Sequence, residues 1–304
     1  MQKYVTIGGG TRHARLRLLG YYVQRSVTSR RLRRAAAGLA IAWLATLHGR
    51  QERRRSVGSP MFESLHERGY AQLGRLLSAS QCAEALAWLR EREMVAVRSG
   101  GARFRIDAVP EGTSTADFPL ETVVHCPHIL ELANRPELLQ LAADYLGYTP
   151  TITLMGLRWS FPSGKKDVDV QGFHRDVEPG SIKLLVYLTD VDDGSGPHSY
   201  VSGTHRERMP LRMRRYSDRE IAQEYGSVVV VTGPSGTGLF IDNKGIHKGT
   251  PPTHGARLLL VVQYSLLPCL MYDYDPIPWR GERRFDDYVN RLMIAAPKTL
   301  ALTA

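Results

Sequence analysis

Long apolar runs are missing from this 304-residue chain. The best one, Ala35 to Leu47, spans 13 residues, where a membrane-spanning helix needs about 20. Cysteine is scarce as well. Cys82, Cys126 and Cys269 stand far apart with no CxxC pair, which argues against a zinc ribbon or a disulfide scaffold and fits a reducing cytoplasm. Acidic residues are nearly absent from the first part of the chain. Residues 1–60 hold 13 Lys and Arg against Glu52 alone, a net +12, while the remaining 27 basic and 29 acidic residues leave −2. The basic character of the chain therefore belongs to an N-terminal extension, and the body after it is nearly neutral.

That extension contains RRLRRAAAGLAIAWLATLHGRQERRR, residues 30–55. Residues 30–48 read as a helix. Residues 1–29 show no clear periodicity and read as loosely ordered. No small-residue cleavage site comes after the apolar stretch, so it makes a poor secretory signal. Three readings stay open: a helix lying on an anionic membrane, with Trp43 at the interface, a helix docked on the body, or a loose tail ahead of an alternative start at Met61. The first gives a peripheral contact with anionic lipid through residues 30–55, on the inner face of the membrane. Arg clusters also bind phosphate, but few aromatics lie among them, which argues against nucleic acid. The expected division is a basic extension over 1–59 and a catalytic domain over 60–304, long enough for one sizeable core.

The body begins with helical patterns. MFESLHERGYAQLGRLLSASQCAEALAWLREREM reads as a helix, an excursion at Gly69–Gly74 and a second helix, with Ser78 or Ser80 as N-cap. Arg103–Asp107 is a candidate strand. In CPHILELANRPELLQLAADYLGY, Asn134 is a credible cap and Pro136 a first-turn proline, with His125 and His128 at helix entries. Strands then dominate: Thr151–Phe161, Gly172–Asp176, Lys183–Thr189, Val228–Thr232, Gly238–Asp242 and Arg257–Leu266. Their β-branched and Leu content, with few helical crossovers between them, favours an antiparallel jelly roll with flanking helices over a parallel α/β sheet. Pro162–Gln171 reads as a polar lid, Leu211–Glu224 as a surface helix and Phe285–Ile294 as a closing helix.

Four residues carry the chemistry: His174 and Asp176 in GFHRD, His247 in GIHKGTPP and Arg257 in GARLLLVV. A His-x-Asp pair with a distant His is the donor set of a facial triad, which holds Fe(II) and leaves positions open for other ligands, including O2. Spacing two puts His174 and Asp176 on one side of a strand. Arg257, ten residues beyond His247 and followed by LLLVV, needs a buried anion. Its planar fork suits the distal carboxylate of 2-oxoglutarate. Taken singly, each has a plainer explanation, such as a surface pair, a core histidine or a strand-edge arginine; the signal is the composite. His198 is a candidate neighbour of the site, and His205 reads as structural. Asp190, Asp192 and Asp193 fit a turn better than a calcium loop.

FHRD, KLLVYLTDVDDGSGPHSYVSGTHR and IDNKGIHKGTPPTHGARLLLVVQYS together resemble the phytanoyl-CoA dioxygenase family, over roughly residues 60–270. The resemblance implies a double-stranded β-helix core, iron at His174, Asp176 and His247, and 2-oxoglutarate at Arg257. Asp176 stands where related halogenases carry a small residue, so hydroxylation is implied rather than halogenation. Family members often place a hydroxyl close after the distal His; here Thr250 comes third and is the candidate helper. The substrate expected is a small molecule or a lipid-linked or envelope glycoconjugate. The rival reading is a cupin-like metal barrel, an isomerase or sensor, that would not need Arg257.

Overall fold

The computed structural model describes residues 3–4, 14–49, 59–97, 101–164, 172–176, 178–207, 210–211 and 214–295. Helices α1 (Ala14–Ser26) and α2 (Arg30–His48) lead into α3 (Pro60–Arg68) and α4 (Ala79–Arg90), and then α5 (Leu120–His125), α6 (Ile129–Ala133) and α7 (Pro136–Leu146). Helices α8 (Asp218–Glu224) and α9 (Asp287–Asn290) come later. Eight strands form one antiparallel sheet: β2 (Tyr70–Arg75), β3 (Met94–Ala96), β4 (Arg103–Phe104), β5 (Thr115–Asp117), β6 (Thr151–Ser160), β7 (Ser181–Tyr187), β10 (Thr237–Ile241) and β12 (Arg257–Ser265). Their spatial order is β2-β10-β7-β12-β6-β5-β3-β4. A second sheet joins β8 (His198–Val201), β9 (Val228–Val231) and β11 (His247–Gly249) in the order β11-β8-β9. Two short pairs complete the set, β1 (Lys3–Tyr4) with β13 (Tyr272–Asp273), and β14 (Ile277–Pro278) with β15 (Ile294–Ala295).

Alternation along the central strands sends successive side chains to opposite faces. Leu184, Val186, Leu258, Leu260 and Val262 pack with Leu65, Ala85, Val123, Ile129 and Leu138 from the helices. Leu185, Tyr187, Leu239, Ile241 and Leu259 meet Tyr200 and Val231 from the small sheet. One face of the large sheet is therefore helix-covered and the other is sheet-covered. The result is a mixed fold built on a large antiparallel sheet.

Several local expectations need correction. Residues 14–26 are helical despite their poor periodicity, because α1 is anchored from outside: Arg17 bonds Asp273 at 2.6 Å and the Tyr272 carbonyl at 3.2 Å. Helix α2 docks on the body. Leu44 packs with Tyr148 and Leu266, and Arg30 donates to the His205 carbonyl at 2.7 Å. The Gly69–Gly74 excursion is strand β2, paired with β10. Asn134 closes α6 rather than opening α7, whose N-cap is Arg135. His125 ends α5, while His128 is the N-cap of α6. Residues 106–108 turn into a 3-10 helix, so the strand near Arg103 is short. Gly172–Asp176 is not a regular strand; only Phe173 and His174 form isolated bridges. The surface and closing helices shrink to Asp218–Glu224 and Asp287–Asn290. Residues 165–171, most of the expected lid, lie outside the described residues, as do Arg53–Arg55.

Gly69 shows why the junction after α3 is built as it is. It sits at φ +85°, where a Cβ would come 2.3 Å from the Tyr200 hydroxyl and 2.5 Å from His205 Nδ1. Its carbonyl accepts the Asp242 N–H at 2.7 Å, tying α3 to the loop that leads to His247. Substituting Gly69→Ala is expected to cost about 1–3 kcal/mol from the left-handed backbone and the clash. A denaturation midpoint equal to wild type would contradict this packing.

Candidate metal centre

The site begins with backbone pairing. His174 N–H donates to the His247 carbonyl and His247 N–H to the His174 carbonyl, both at 3.0 Å. Asp176 N–H donates to the Asn243 carbonyl at 2.9 Å, and Tyr216 N–H to the Phe173 carbonyl at 2.9 Å. Residues 172–176 are thus laced to the 243–247 loop and to Tyr216. His247 opens β11, whose partner β8 supplies Tyr200, Ser199 and His198 opposite His247, Lys248 and Gly249.

This lacing brings together the three side chains that the sequence nominates. His174, Asp176 and His247 form a group whose potential ligand atoms all lie within 4.8 Å of one another. His174 Nε2 is 3.6 Å from Asp176 Oδ1, and His247 Nε2 is 3.8 Å from Asp176 Oδ2. Each imidazole is oriented by a carbonyl two residues back: His174 Nδ1 meets Gly172 O at 2.8 Å and His247 Nδ1 meets Gly245 O at 3.0 Å. A carbonyl can only accept, so Nδ1 carries a proton in each ring, and Nε2 is the nitrogen turned toward Asp176.

The electrostatics suit a cation. Burial, then the neighbouring His174 ring, pulls the His247 imidazole down to about 3, so it is neutral at physiological pH. Burial alone would raise the Asp176 carboxyl, but Lys183, followed by His247 and His174, outweighs it and holds the group ionised well below the usual range. Lys183 Nζ bonds Asp176 Oδ2 directly. One ionised carboxylate and one neutral imidazole, with a second imidazole held by its carbonyl, match a divalent transition metal.

Arg257 starts β12, opposite Ser160 of β6. Its side chain is only 3% exposed. Nη2 donates to Ser160 Oγ at 3.3 Å, while Nε and Nη1 have no hydrogen-bond partner among the described residues. Burial lowers its pKa to about 10, leaving it charged. Gly249, two residues past His247, lies beside it: a Cβ there would come 3.1 Å from Arg257 Nη2. A buried guanidinium with two orphaned donors needs an anion. Thr250 Oγ1 faces Ser199 Oγ at 3.3 Å rather than bonding Arg257.

His198 is buried, with Nε2 unpartnered, and its ring lies 5.6 Å from that of His247. It stands beside the three-residue group without belonging to it. His205 is tied through Nε2 to the His66 carbonyl at 3.0 Å, a structural contact. Asp192 accepts from Gly194 N, Ser195 N and Ser195 Oγ, and so caps a turn. A cleft of about 600 Å³ between α2 and the body is lined by Arg30, Arg33, Arg34, Arg206 and Lys244, and by none of the three grouped residues. Sequence reasoning missed Lys183 and Ser160. Lys183 left a signal, as the only charged residue in the apolar strand SIKLLVY; Ser160 left none.

The metal-free protein should be acid-sensitive. The His247 ring refuses a proton down to about 3, whereas the unfolded ring takes one near 6.5. Between those values the unfolded state binds more protons, so stability falls as pH falls. Thermal unfolding of the metal-free protein across this window should show that decline, with a shallower slope in His247→Gln. Equal slopes would contradict the buried, neutral ring.

The model of the phytanoyl-CoA dioxygenase family matches residues 65–257, more than half of the chain. No curated protein matches the sequence. Among solved structures, EctD from S. alaskensis with bound Fe is similar at 18% identity and TM-score 0.51, over 82% of this chain and 92% of that one. HygX from Streptomyces hygroscopicus, with nickel and 2-oxoglutarate bound, is similar at 16% identity and TM-score 0.50, over 78% and 94%. SnoK, a non-heme alpha ketoglutarate dependent carbocyclase from nogalamycin biosynthesis, is similar at 18% identity and TM-score 0.50, over 69% and 84%. At these identities the likeness concerns the fold. Because the family model covers more than half of the chain and includes all four nominated residues, the chain belongs to the phytanoyl-CoA dioxygenase family.

Proposed function

We propose that the protein is an Fe(II)- and 2-oxoglutarate-dependent oxygenase that hydroxylates an unactivated C–H bond of a small-molecule or lipid-linked glycoconjugate substrate, in the cytoplasm. The observation that carries this reading is the conjunction of the three-donor group with a buried Arg257 whose Nε and Nη1 lack partners. A metal-only barrel has no use for that arginine. We read the two sheets as the walls of a double-stranded β-helix, with the site between them.

In this reading His174, Asp176 and His247 hold the metal through Nε2, a carboxylate oxygen and Nε2. Arg257 receives the distal carboxylate of 2-oxoglutarate, its fork giving two parallel charge-assisted hydrogen bonds. Ser160 orients the guanidinium through Nη2, and Gly249 leaves the space beside it open. Thr250 assists from the adjoining loop. Lys183 steadies Asp176 and keeps it deprotonated. The bound metal with 2-oxoglutarate and O2 supplies the oxidation of the C–H bond, releasing succinate and CO2. The apolar packing of Leu185, Tyr187, Leu239 and Leu259 between the sheets keeps water from this region. The retained carboxylate at 176 disfavours halide binding, and hydroxylation is the simplest outcome. SnoK's description as a carbocyclase marks ring closure as the alternative fate of the same oxidation.

Asp176→Ala in iron-supplemented protein should abolish conversion of 2-oxoglutarate to succinate, because the triad loses its only anionic donor. Undiminished succinate formation would remove Asp176 from the donor set.

A further inference from the structure

Helices α1 and α2 each cover the body with one face and leave another bare. On α2 the docked face is Arg33, Ala40 and Leu44, held by the Tyr148 hydroxyl on the Leu44 carbonyl at 3.2 Å. The opposite side carries Leu32, Leu39, Trp43 and Leu47, between 55% and 72% exposed. Their spacings of seven, four and four place them in one stripe along the helix. Helix α1 turns Leu16, Leu19, Tyr22 and Val23 outward, all at least 55% exposed, and again on one side. These eight are most of the twelve large apolar side chains exposed among the described residues. Isolated exposed apolar residues need no partner, but such a concentration does.

The charge around the stripes selects the partner. Residues 14–49 contain seven arginines and no Asp or Glu. Arg25 of α1 and Arg31 of α2 are exposed, and Arg34 is exposed at the cleft between α2 and the body. A second copy of this chain would bring the exposed Arg25, Arg31 and Arg34 against their own equivalents, and no acidic group of these helices could offset them. Nucleic acid would satisfy the arginines and leave Leu39, Trp43 and Leu47 in water. An anionic bilayer satisfies both: acyl chains take the apolar stripe, headgroup phosphates take the guanidinium groups, and Trp and Tyr sit at the boundary. No helix among the described residues is long and apolar enough to cross a membrane, so the contact is parallel to the surface.

We propose that the outward faces of α1 and α2 dock the protein on an anionic lipid bilayer, with Leu32, Leu39, Trp43 and Leu47 entering the interface while the opposite face of α2 stays bound to the body. The proposal rests on these two helices alone and not on the reading of the metal centre. The test is co-sedimentation of the full chain with phosphatidylcholine vesicles, with and without phosphatidylglycerol, beside the double variant Leu39→Glu, Trp43→Glu. Both positions face outward, so the variant should keep wild-type circular dichroism and wild-type iron binding. The wild type should sediment with the anionic vesicles, and the variant's partitioning should fall by about tenfold or more, as two apolar anchors become anions. Tryptophan emission should shift to the blue on binding in the wild type only. Failure of the wild type to bind anionic vesicles would overturn the proposal, as would equal binding by the variant or equal binding to phosphatidylcholine alone. Self-association of the wild type by light scattering, lost in the variant and without vesicle binding, would assign the stripe to a second copy instead. Iron binding by both proteins, measured alongside, keeps a failure here separate from a failure of the proposed chemistry.

Discussion

The paired backbone hydrogen bonds between His174 and His247 are the constraint on which the site depends. They join two segments separated by more than seventy residues at a single antiparallel bridge. A side chain two residues along either segment then has only one place to go. Asp176 is fixed by its own N–H to the Asn243 carbonyl, and Gly172 and Gly245 present the carbonyls that turn the two rings. The donor set is therefore positioned by main chain, which is stiffer than any side-chain contact. The helix-covered sheet behind it supplies the rigidity: β7, β10 and β12 are interior strands, buried on both faces.

That rigidity sustains an arrangement of charge that would otherwise relax. A neutral imidazole, an ionised carboxylate, a lysine and an arginine with orphaned donors share a region that is buried at His247 and Arg257 and half-buried at Asp176. Isolated buried charges are costly, and Lys183 offsets Asp176 directly. Arg257 has no such offset; Ser160 satisfies one nitrogen and burial depresses its pKa. A fold that keeps an uncompensated guanidinium at one end of β12 is preorganised for an anionic ligand, and the cost of desolvating that guanidinium is met in folding rather than on binding.

Much of this was legible in the sequence because it rests on periodicity and on residue types with few alternative uses. The strands from Thr151, Lys183, Val228, Gly238 and Arg257 announce themselves through Leu and β-branched runs, while the sequence narrows the N-cap of α4 only to Ser78 or Ser80 and the capping box with Gln81 assigns it to Ser78. His174, Asp176 and His247 were legible as a composite: a spacing of two, a distant His, Arg257 ten residues beyond it and the apolar β-rich runs beside them. Short elements were not legible. Strand β11 is three residues long and β2 hides in a Gly-containing stretch; both are strands only because a partner supplies the hydrogen bonds. Helix α1 escaped notice for the same reason, since Arg17 reaches Asp273 across more than 250 residues. Lys183 and Ser160 act through register, and register is invisible until the sheet is assembled.

Anaerobic loading with Fe(II), followed by titration with 2-oxoglutarate and observation of the weak visible metal-to-ligand charge-transfer band, reports whether the three donors and Arg257 act on one cosubstrate. The band should appear and saturate in the wild type. In Arg257→Leu it should require about tenfold or more 2-oxoglutarate, since charge-assisted hydrogen bonds are worth about 1.5–3 kcal/mol each. Bound iron with no band on adding 2-oxoglutarate, or a band indifferent to Arg257, would contradict the account.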